Sequence, residues 1–343
     1  MNFVIVGGGK MGLSHLAIIS RIIGSDSVTL CDSSWSTRFI FKKFKYKAFS
    51  SLDDAFNSVT PISGVVVATP TPYHYAIAKS SILNSIPCFI EKPLTLDVCK
   101  SRELADLAKQ KNVYTQMGFV MRFVASFNRL HSLVETGVLG KVCSYIARMG
   151  GNVITKSDNS GWRTNFAAGG GCLNEYGPHL IDLCRFVFGG IHELRSATKG
   201  HVYSKRADDM CDFTWAHDSG CVGEVSLNWC DTSKRKSVIE FEVEFEHARV
   251  TADNSALKVV FKSSAPLTSE QMNNLSTPDV PPKVGFYLRG EEFSLQLETF
   301  LENCLNKSFR VDPDFGIGNQ ALIQDGVEVD ILIDSIAKKV GLQ

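Results

Sequence analysis

Three clusters of residues carry chemistry by their type and spacing. The first, Gly7-Gly8-Gly9-Lys10-Met11-Gly12, satisfies G-x-G-x-x-G directly after the apolar run Phe3 to Val6, and an acid, Asp32, follows twenty residues beyond Gly12. Glycines so placed permit a tight turn and let backbone N–H groups approach a pyrophosphate. The dipole of a following helix favours its negative charge, and the acid accepts hydrogen bonds from an adenosine ribose. The chemistry is dinucleotide binding, with Gly7, Gly9, Lys10, Met11, Gly12 and Asp32 as its residues. A carboxylate at Asp32 repels a 2′-phosphate and favours NAD over NADP, although Ser33, Ser34 and Arg38 offer phosphate donors.

The second cluster is Thr69-Pro70 with His74, then Glu91-Lys92-Pro93. Lys92 stands just past Cys88-Phe89-Ile90, which reads as a parallel strand, and ligand crevices open at the carboxyl ends of such strands. A lysine there can hold a substrate hydroxyl and stabilise the charge that develops as a carbonyl forms; taken alone it is equally a surface lysine beside a turn proline. The third cluster runs from Gly169-Gly170-Gly171 to His179 and Asp182. Glu175 and His179 are four apart and share a face if helical. An imidazole paired with a carboxylate is a general base, the competing reading being a satisfied structural histidine. The other histidines (15, 131, 192, 201, 217 and 247) have no comparable setting and receive no role. Two ligands without a third do not make a metal site, so none is expected.

Elements must position these clusters. Short β-branched runs at Phe3–Val6, Val28–Leu30, Val65–Ala68, Cys88–Ile90 and Val113–Thr115 alternate with helical segments such as Leu13–Ile23 and Val98–Lys111. That alternation implies a parallel sheet with helical crossovers. After about residue 120 the pattern changes to period two, clearest where Ile239, Phe241, Val243 and Phe245 alternate with four glutamates. A half-buried antiparallel strand follows, its glutamates on the wet face, with 142–150, 193–203, 210–217, 221–230 and 256–263 as its neighbours. Residues 264–285, with Pro266, Pro278, Pro281 and Pro282, form an irregular excursion, and helices close the chain at about 291–306 and 318–339. The fold expected is an α/β Rossmann domain with a parallel sheet, residues 1–119, followed by an α+β domain with a large, mostly antiparallel open sheet, residues 120–343.

At 343 residues, two domains are the natural division, and 44% hydrophobic against 21% charged residues is the balance of a globular protein with ample core. With 36 basic and 36 acidic side chains there is no basic excess for a phosphate backbone, so nucleic acid is not an expected partner. The run Lys42-Lys43-Phe44-Lys45-Tyr46-Lys47 reads as a solvated helix face. No apolar stretch is long enough for a spanning helix and the first strand starts at once, so neither membrane insertion nor a leader is expected. The ten cysteines are scattered without a C-x-x-C pair and read as idle thiols of a reducing cytoplasm.

The ordered set of glycine loop, Thr69-Pro70 with His74, Glu91-Lys92-Pro93, Gly118-Phe119 with Arg122-Phe123, and the glycine-rich segment ending in His179 and Asp182 resembles the Gfo/Idh/MocA family, the glucose–fructose oxidoreductase and inositol dehydrogenase group. The resemblance covers essentially the whole chain. It implies a nicotinamide-dependent oxidoreductase that interconverts a secondary alcohol and a ketone on a sugar, polyol or sugar-nucleotide. It also implies Lys92 and His179 as catalytic residues with Glu175 beside them, and Thr69, Pro70, His74, Glu91 and Lys92 around the cofactor. Arg122, Trp162 and Arg163 resemble elements near substrate, with core packing and a surface ion pair as the alternative for the last two. Relatives pair through the open sheet, which implies a homodimer or homotetramer. Some relatives retain their NAD through sugar–sugar oxidoreduction or glycosidic cleavage, and others are non-catalytic sensors. Two positions depart from the family: Glu175 replaces its usual aspartate and Val120 its usual asparagine, which implies a pocket unlike that of the sugar or inositol dehydrogenases.

Overall fold

A computed structural model describes residues 1–155, 161–277, 281–309, 315 and 318–342. In chain order the first elements are β1 (Phe3–Val6), α1 (Lys10–Ile23), β2 (Val28–Cys31), α2 (Trp35–Lys43), β3 (Lys47–Phe49), α3 (Leu52–Ser58), β4 (Gly64–Val67), α4 (His74–Leu83), β5 (Cys88–Ile90), α5 (Val98–Lys111) and β6 (Thr115–Met117). The six strands form one parallel sheet in the order β3-β2-β1-β4-β5-β6. Strand order reverses between β1 and β4, the switch point at which such sheets open a ligand crevice. Two strand assignments needed correction. The last strand starts at Thr115, two residues later than its run suggested, and β3 was missed because it has three residues at a sheet edge and opens with a lysine. The basic run is accordingly not one helix face: Lys42 and Lys43 end α2, Lys45 has φ +65°, and Lys47 begins β3.

The next elements are α6 (Ala125–Thr136), β7 (Val142–Gly150), α7 (Cys172–Glu175), α8 (Gly177–Phe188), β8 (Ile191–Gly200), β9 (Met210–His217), β10 (Val222–Asn228), β11 (Val238–Phe245), β12 (Ala248–Asp253), β13 (Leu257–Phe261) and α9 (Ser269–Ser276). Seven strands make a sheet in the order β13-β12-β11-β7-β10-β9-β8, in which only β7 and β10 run parallel. Its inner face buries Tyr145, Trp215, Leu227, Ile239, Phe241, Val243 and Phe245. A polar chain crosses this core: Trp215 Nε1 donates to Tyr145 Oη at 2.6 Å, and that oxygen lies 2.8 Å from His217 Nε2. On the other face Glu240 and Glu242 pair with Lys234 and Arg148. Three elements here were not expected, α6 among them. β12 alternates buried Ala248, Val250 and Ala252 with exposed Arg249 and Thr251, and α9 interrupts the supposed excursion behind a Thr268/Gln271 capping box. Pro278 lies outside the described residues.

Two helices close the chain, α10 (Glu291–Leu305) and α11 (Ile323–Val340). Compactness divides the protein into a first unit of 1–123 with 282–330 and a second of 124–281 with 331–343, rather than at a single cut between 119 and 120. The cause is hydrophobic. Leu297, Phe300 and Leu301 of α10 pack into the cluster built by Phe3 and Ile5 of β1, Ile18 and Ile19 of α1, and Phe89 of β5.

Candidate functional site

The glycine loop turns between β1 and α1 with two backbone demands. Gly7 has φ +105°, and a Cβ there would lie 2.6 Å from Ala68 O; a Cβ on Gly12 would lie 1.8 Å from Gly7 O. Only glycine allows that turn and that approach of helix to strand. Gly9 differs, because a Cβ there would meet nothing within 4 Å. It is the N-cap of α1 without a side-chain cap, and Lys10 and Met11 follow as the first turn with their N–H groups open to an anion.

From this loop a groove of about 580 Å³ runs past Asp32, Ser33, Ser51, Thr69, Pro70 and Tyr73. Asp32 directly follows β2 and accepts N–H bonds from Gly8 (2.6 Å) and Ser34 (2.7 Å). Arg38 donates from Nη1 to the Asp32 and Ser33 carbonyls at 2.7 Å each. Among the described residues the Thr69 hydroxyl oxygen is buried without a hydrogen-bond partner. An uncapped helix start, an orphan hydroxyl and a carboxylate at the far end fit the pyrophosphate and ribose of a dinucleotide.

His74 and Glu91 support this groove rather than face it. His74 is buried, with Nε2 2.8 Å from Thr69 O and Nδ1 2.9 Å from Pro93 O. A neutral ring has one N–H to give. Burial holds its pKa below the usual value against the two carbonyls and the charge of Glu91. Glu91 sets Oε1 2.7 Å from His15 Nε2, and Oε2 accepts the Lys92 N–H at 3.3 Å. Burial alone would raise the Glu91 carboxyl, but the His15 hydrogen bond, with the nearby His15 and Lys92, brings it below its ordinary range. Lys92 itself is half-buried two residues past the end of β5.

In the second unit, Glu175 and His179 do not share one continuous helix. α7 ends at Glu175 and α8 starts at Gly177, because Pro178 has no N–H to continue the ladder and His179 N–H bonds back only three residues, to Tyr176 O at 3.1 Å. Both side chains are half-buried. The glycine-rich turn ahead of α7 is braced on both sides. Gly171 N–H donates to Arg163 O at 2.9 Å, and Leu173 N–H donates to Asp208 Oδ2 at 2.7 Å. Burial lifts the Asp208 carboxyl to about 6. Trp162 is 49% exposed, with the Arg163 guanidinium 4.8 Å from its ring centre, so the pair stacks rather than filling core. Arg122 belongs to the first unit, where it is buried and pairs with Asp325 at 3.2 Å.

Sequence reasoning missed His15, Asp208 and Asp330 as partners of these segments. His15 had a signal: with Ile18 and Ile19 it lies on the buried stripe of α1, and a polar group there needs a partner. Among the described residues no three His, Cys, Asp or Glu side chains converge as metal ligands, and no helix is long and apolar enough to cross a membrane.

A doubly wound parallel sheet with a glycine-loop groove at its switch point in one unit, and an open seven-stranded sheet in the other, define a dinucleotide-binding α/β protein of two units. Residues 1–119 match the oxidoreductase family with NAD-binding Rossmann fold, and residues 127–251 match the GFO/IDH/MocA C-terminal domain. The chain belongs to the Gfo/Idh/MocA oxidoreductase family. It is 26% identical over 187 residues to glucose-6-phosphate 3-dehydrogenase of Bacillus subtilis (strain 168), covering 54% of this chain and 53% of that protein. It is 30% identical over 139 residues to inositol 2-dehydrogenase of Leifsonia xyli subsp. xyli, covering 40% and 41%. The chain thus spans about half the length, or less, of these curated relatives. The crystal structure of levoglucosan dehydrogenase in complex with NADH and levoglucosan shares the fold, with a TM-score of 0.79 at 19% identity over 99% of this chain and 97% of that one.

Proposed function

We propose that the protein is an NAD-dependent dehydrogenase that interconverts a secondary alcohol and a ketone on a sugar, polyol or sugar-nucleotide. The observation that carries the reading is the groove from the Gly9 helix start to Asp32, with Lys92 at the end of β5 in the same unit. Bound NAD supplies a hydride acceptor. Residues 1–119 bind it, and residues from 120 onward bind substrate and join subunits into a homodimer or homotetramer. Asp32 accepts from the adenosine ribose hydroxyls and disfavours a 2′-phosphate, while Thr69 offers its hydroxyl to the cofactor. His179 takes the proton of the substrate hydroxyl, Lys92 orients that oxygen and stabilises charge on it, and Glu175 anchors the imidazole or the substrate. Arg122, held by Asp325, acts as a support in this scheme, and the Trp162–Arg163 stack offers a rim for a sugar ring. Ten free cysteines, six of them buried, suit a cytoplasmic setting. Carbohydrate as the substrate class is supported by relatives named for glucose-6-phosphate, inositol and levoglucosan.

The test follows NADH formation from NAD with polyols, aldoses and sugar-nucleotides, with NADP in parallel. Turnover is expected with NAD on one substrate class, and His179→Ala should reduce it by about 10²–10⁴-fold while NADH still binds. Near-normal turnover in both His179→Ala and Lys92→Ala would refute the assigned roles. Tighter binding of NADPH than NADH would refute the part given to Asp32. No turnover, with cofactor that co-purifies and does not exchange, would instead favour retained NAD.

A further inference from the structure

The backbone that follows Lys92 is anchored from the far end of the chain. Thr95 N–H donates to Asp330 Oδ2 at 2.9 Å across 235 residues of sequence, and Ser101 Oγ donates to the same oxygen at 2.6 Å. The Leu94 N–H is a third donor to this carboxyl. The Thr95 hydroxyl completes the set, lying 2.6 Å from Ser101 Oγ and donating to Asp97 O at 2.7 Å. Asp330 is buried on α11, so one carboxyl ties the lysine turn to the start of α5 and to the closing helix. The titratable groups on the elements around it are Glu91, Lys92 and His74 ahead of Leu94, Asp97 at the N-cap of α5, Lys100 and Glu103 on α5, and Asp325, Glu328 and Asp334 on its own helix. The groups that act most on the carboxyl are the neutral donors Ser101, Thr95 and Leu94.

A buried acid held by neutral donors is a poor choice for stability alone, since a neutral residue could fill the site at lower desolvation cost. What the acid adds is a change of state. Ionised, it accepts strongly from all three donors; protonated, it holds them less tightly and brings a hydroxyl of its own that needs an acceptor. We propose that Asp330 is a positioning residue for Lys92, whose ionised carboxylate fixes the Leu94–Thr95 backbone so that the lysine meets substrate in a single orientation. This rests on the reading of Lys92 as catalytic. Burial drives the Asp330 carboxyl up to about 7, against the lowering effect of Ser101, Thr95 and Leu94, so the change of state falls within the working range of an enzyme.

Asp330→Asn keeps an acceptor oxygen but cannot ionise. Steady-state kinetics of the full-length wild type and variant from about pH 6 to about pH 9 separate positioning from mere structure. At the acid end both side chains are neutral and kcat should agree within about twofold. At the alkaline end the wild type should be faster by about 3–10-fold, with KM for NAD unchanged. Ser101→Ala, which removes one neutral donor, should move the rise in kcat to higher pH. A wild-type to variant ratio that is the same at every pH overturns the proposal, as does an unmoved rise in Ser101→Ala, which decides the matter if Asp330→Asn does not fold. Lys92→Ala is run alongside. If it abolishes turnover while the Asp330→Asn ratio stays flat, the positioning role alone has failed; if it retains turnover, the catalytic reading of Lys92 has failed and the proposal with it.

Discussion

His15 is fully buried, with Nε2 2.7 Å from a Glu91 oxygen and Nδ1 without a partner among the described residues, so Nε2 is the nitrogen that donates to the carboxylate. Removing the ring leaves the carboxylate beside Lys92 without that donor. His15→Ala should cost about 2–3 kcal/mol in urea unfolding at neutral pH, the range for a hydrogen bond to a buried charge. The sign of its pH dependence follows from Glu91, whose pKa is lowered on folding. Stabilisation from such an acid is complete above its unfolded value of about 4.5 and is lost as pH falls through the folded one. The difference between wild type and variant should therefore be constant from neutrality down to about pH 5 and shrink below it. A difference that persists undiminished in acid would mean that His15 acts by packing against Phe89, its ring neighbour at 5.3 Å, rather than through Glu91.

At the scale of elements, the glycine loop separates folding from binding. Gly12→Ala forces its methyl against the backbone carbonyl of Gly7, and the loop must open; the variant should lose several degrees in melting temperature together with NADH binding. Gly9→Ala meets no atom and has an ordinary φ of −74°, so it should melt as wild type does. A methyl at an anion-binding helix start should still weaken NADH by about tenfold or more, measured by fluorescence titration. Equal NADH affinity in Gly9→Ala and wild type would remove the pyrophosphate from that place. This loop was legible because its constraints are local: glycine spacing, strand before, helix after. The strands of the second sheet were legible for the same reason, since alternation is written within each one. α9 and β12 carried local signals too, a Thr-x-x-Gln start and a period-two run, but the neighbouring prolines and strands masked them. The break between Glu175 and His179 was announced by Pro178, which cannot continue a helical ladder. What could not be read was pairing at a distance. His15 with Glu91 and Thr95 with Asp330 are joined across 76 and 235 residues, and no spacing rule connects them.

At the scale of the molecule, the return of 282–330 to the first unit makes its stability depend on residues far down the chain. Phe300 is fully buried, with its ring centre 6.0 Å from that of Phe3, 5.8 Å from Phe89 and 6.2 Å from Tyr114. Phe3 lies on the first strand and Phe89 on the strand that leads to Glu91 and Lys92, so one aromatic ring from α10 ties together both sides of the switch point. Truncation removes its buried area and leaves a cavity, costing about 3–5 kcal/mol. The loss should appear as a lower melting temperature and, because the sheet carries the glycine loop, as earlier release of NADH on heating. Phe241→Ala provides the contrast, since that ring is equally buried in the second sheet and touches Phe127 and Phe188 instead. If unfolding is followed by NADH fluorescence and circular dichroism together, Phe300→Ala should shift both signals. Phe241→Ala should lower the circular dichroism transition and move NADH release less. Equal shifts of NADH release in the two variants would show that the units unfold as one, and that the cofactor groove draws its stability from the whole chain.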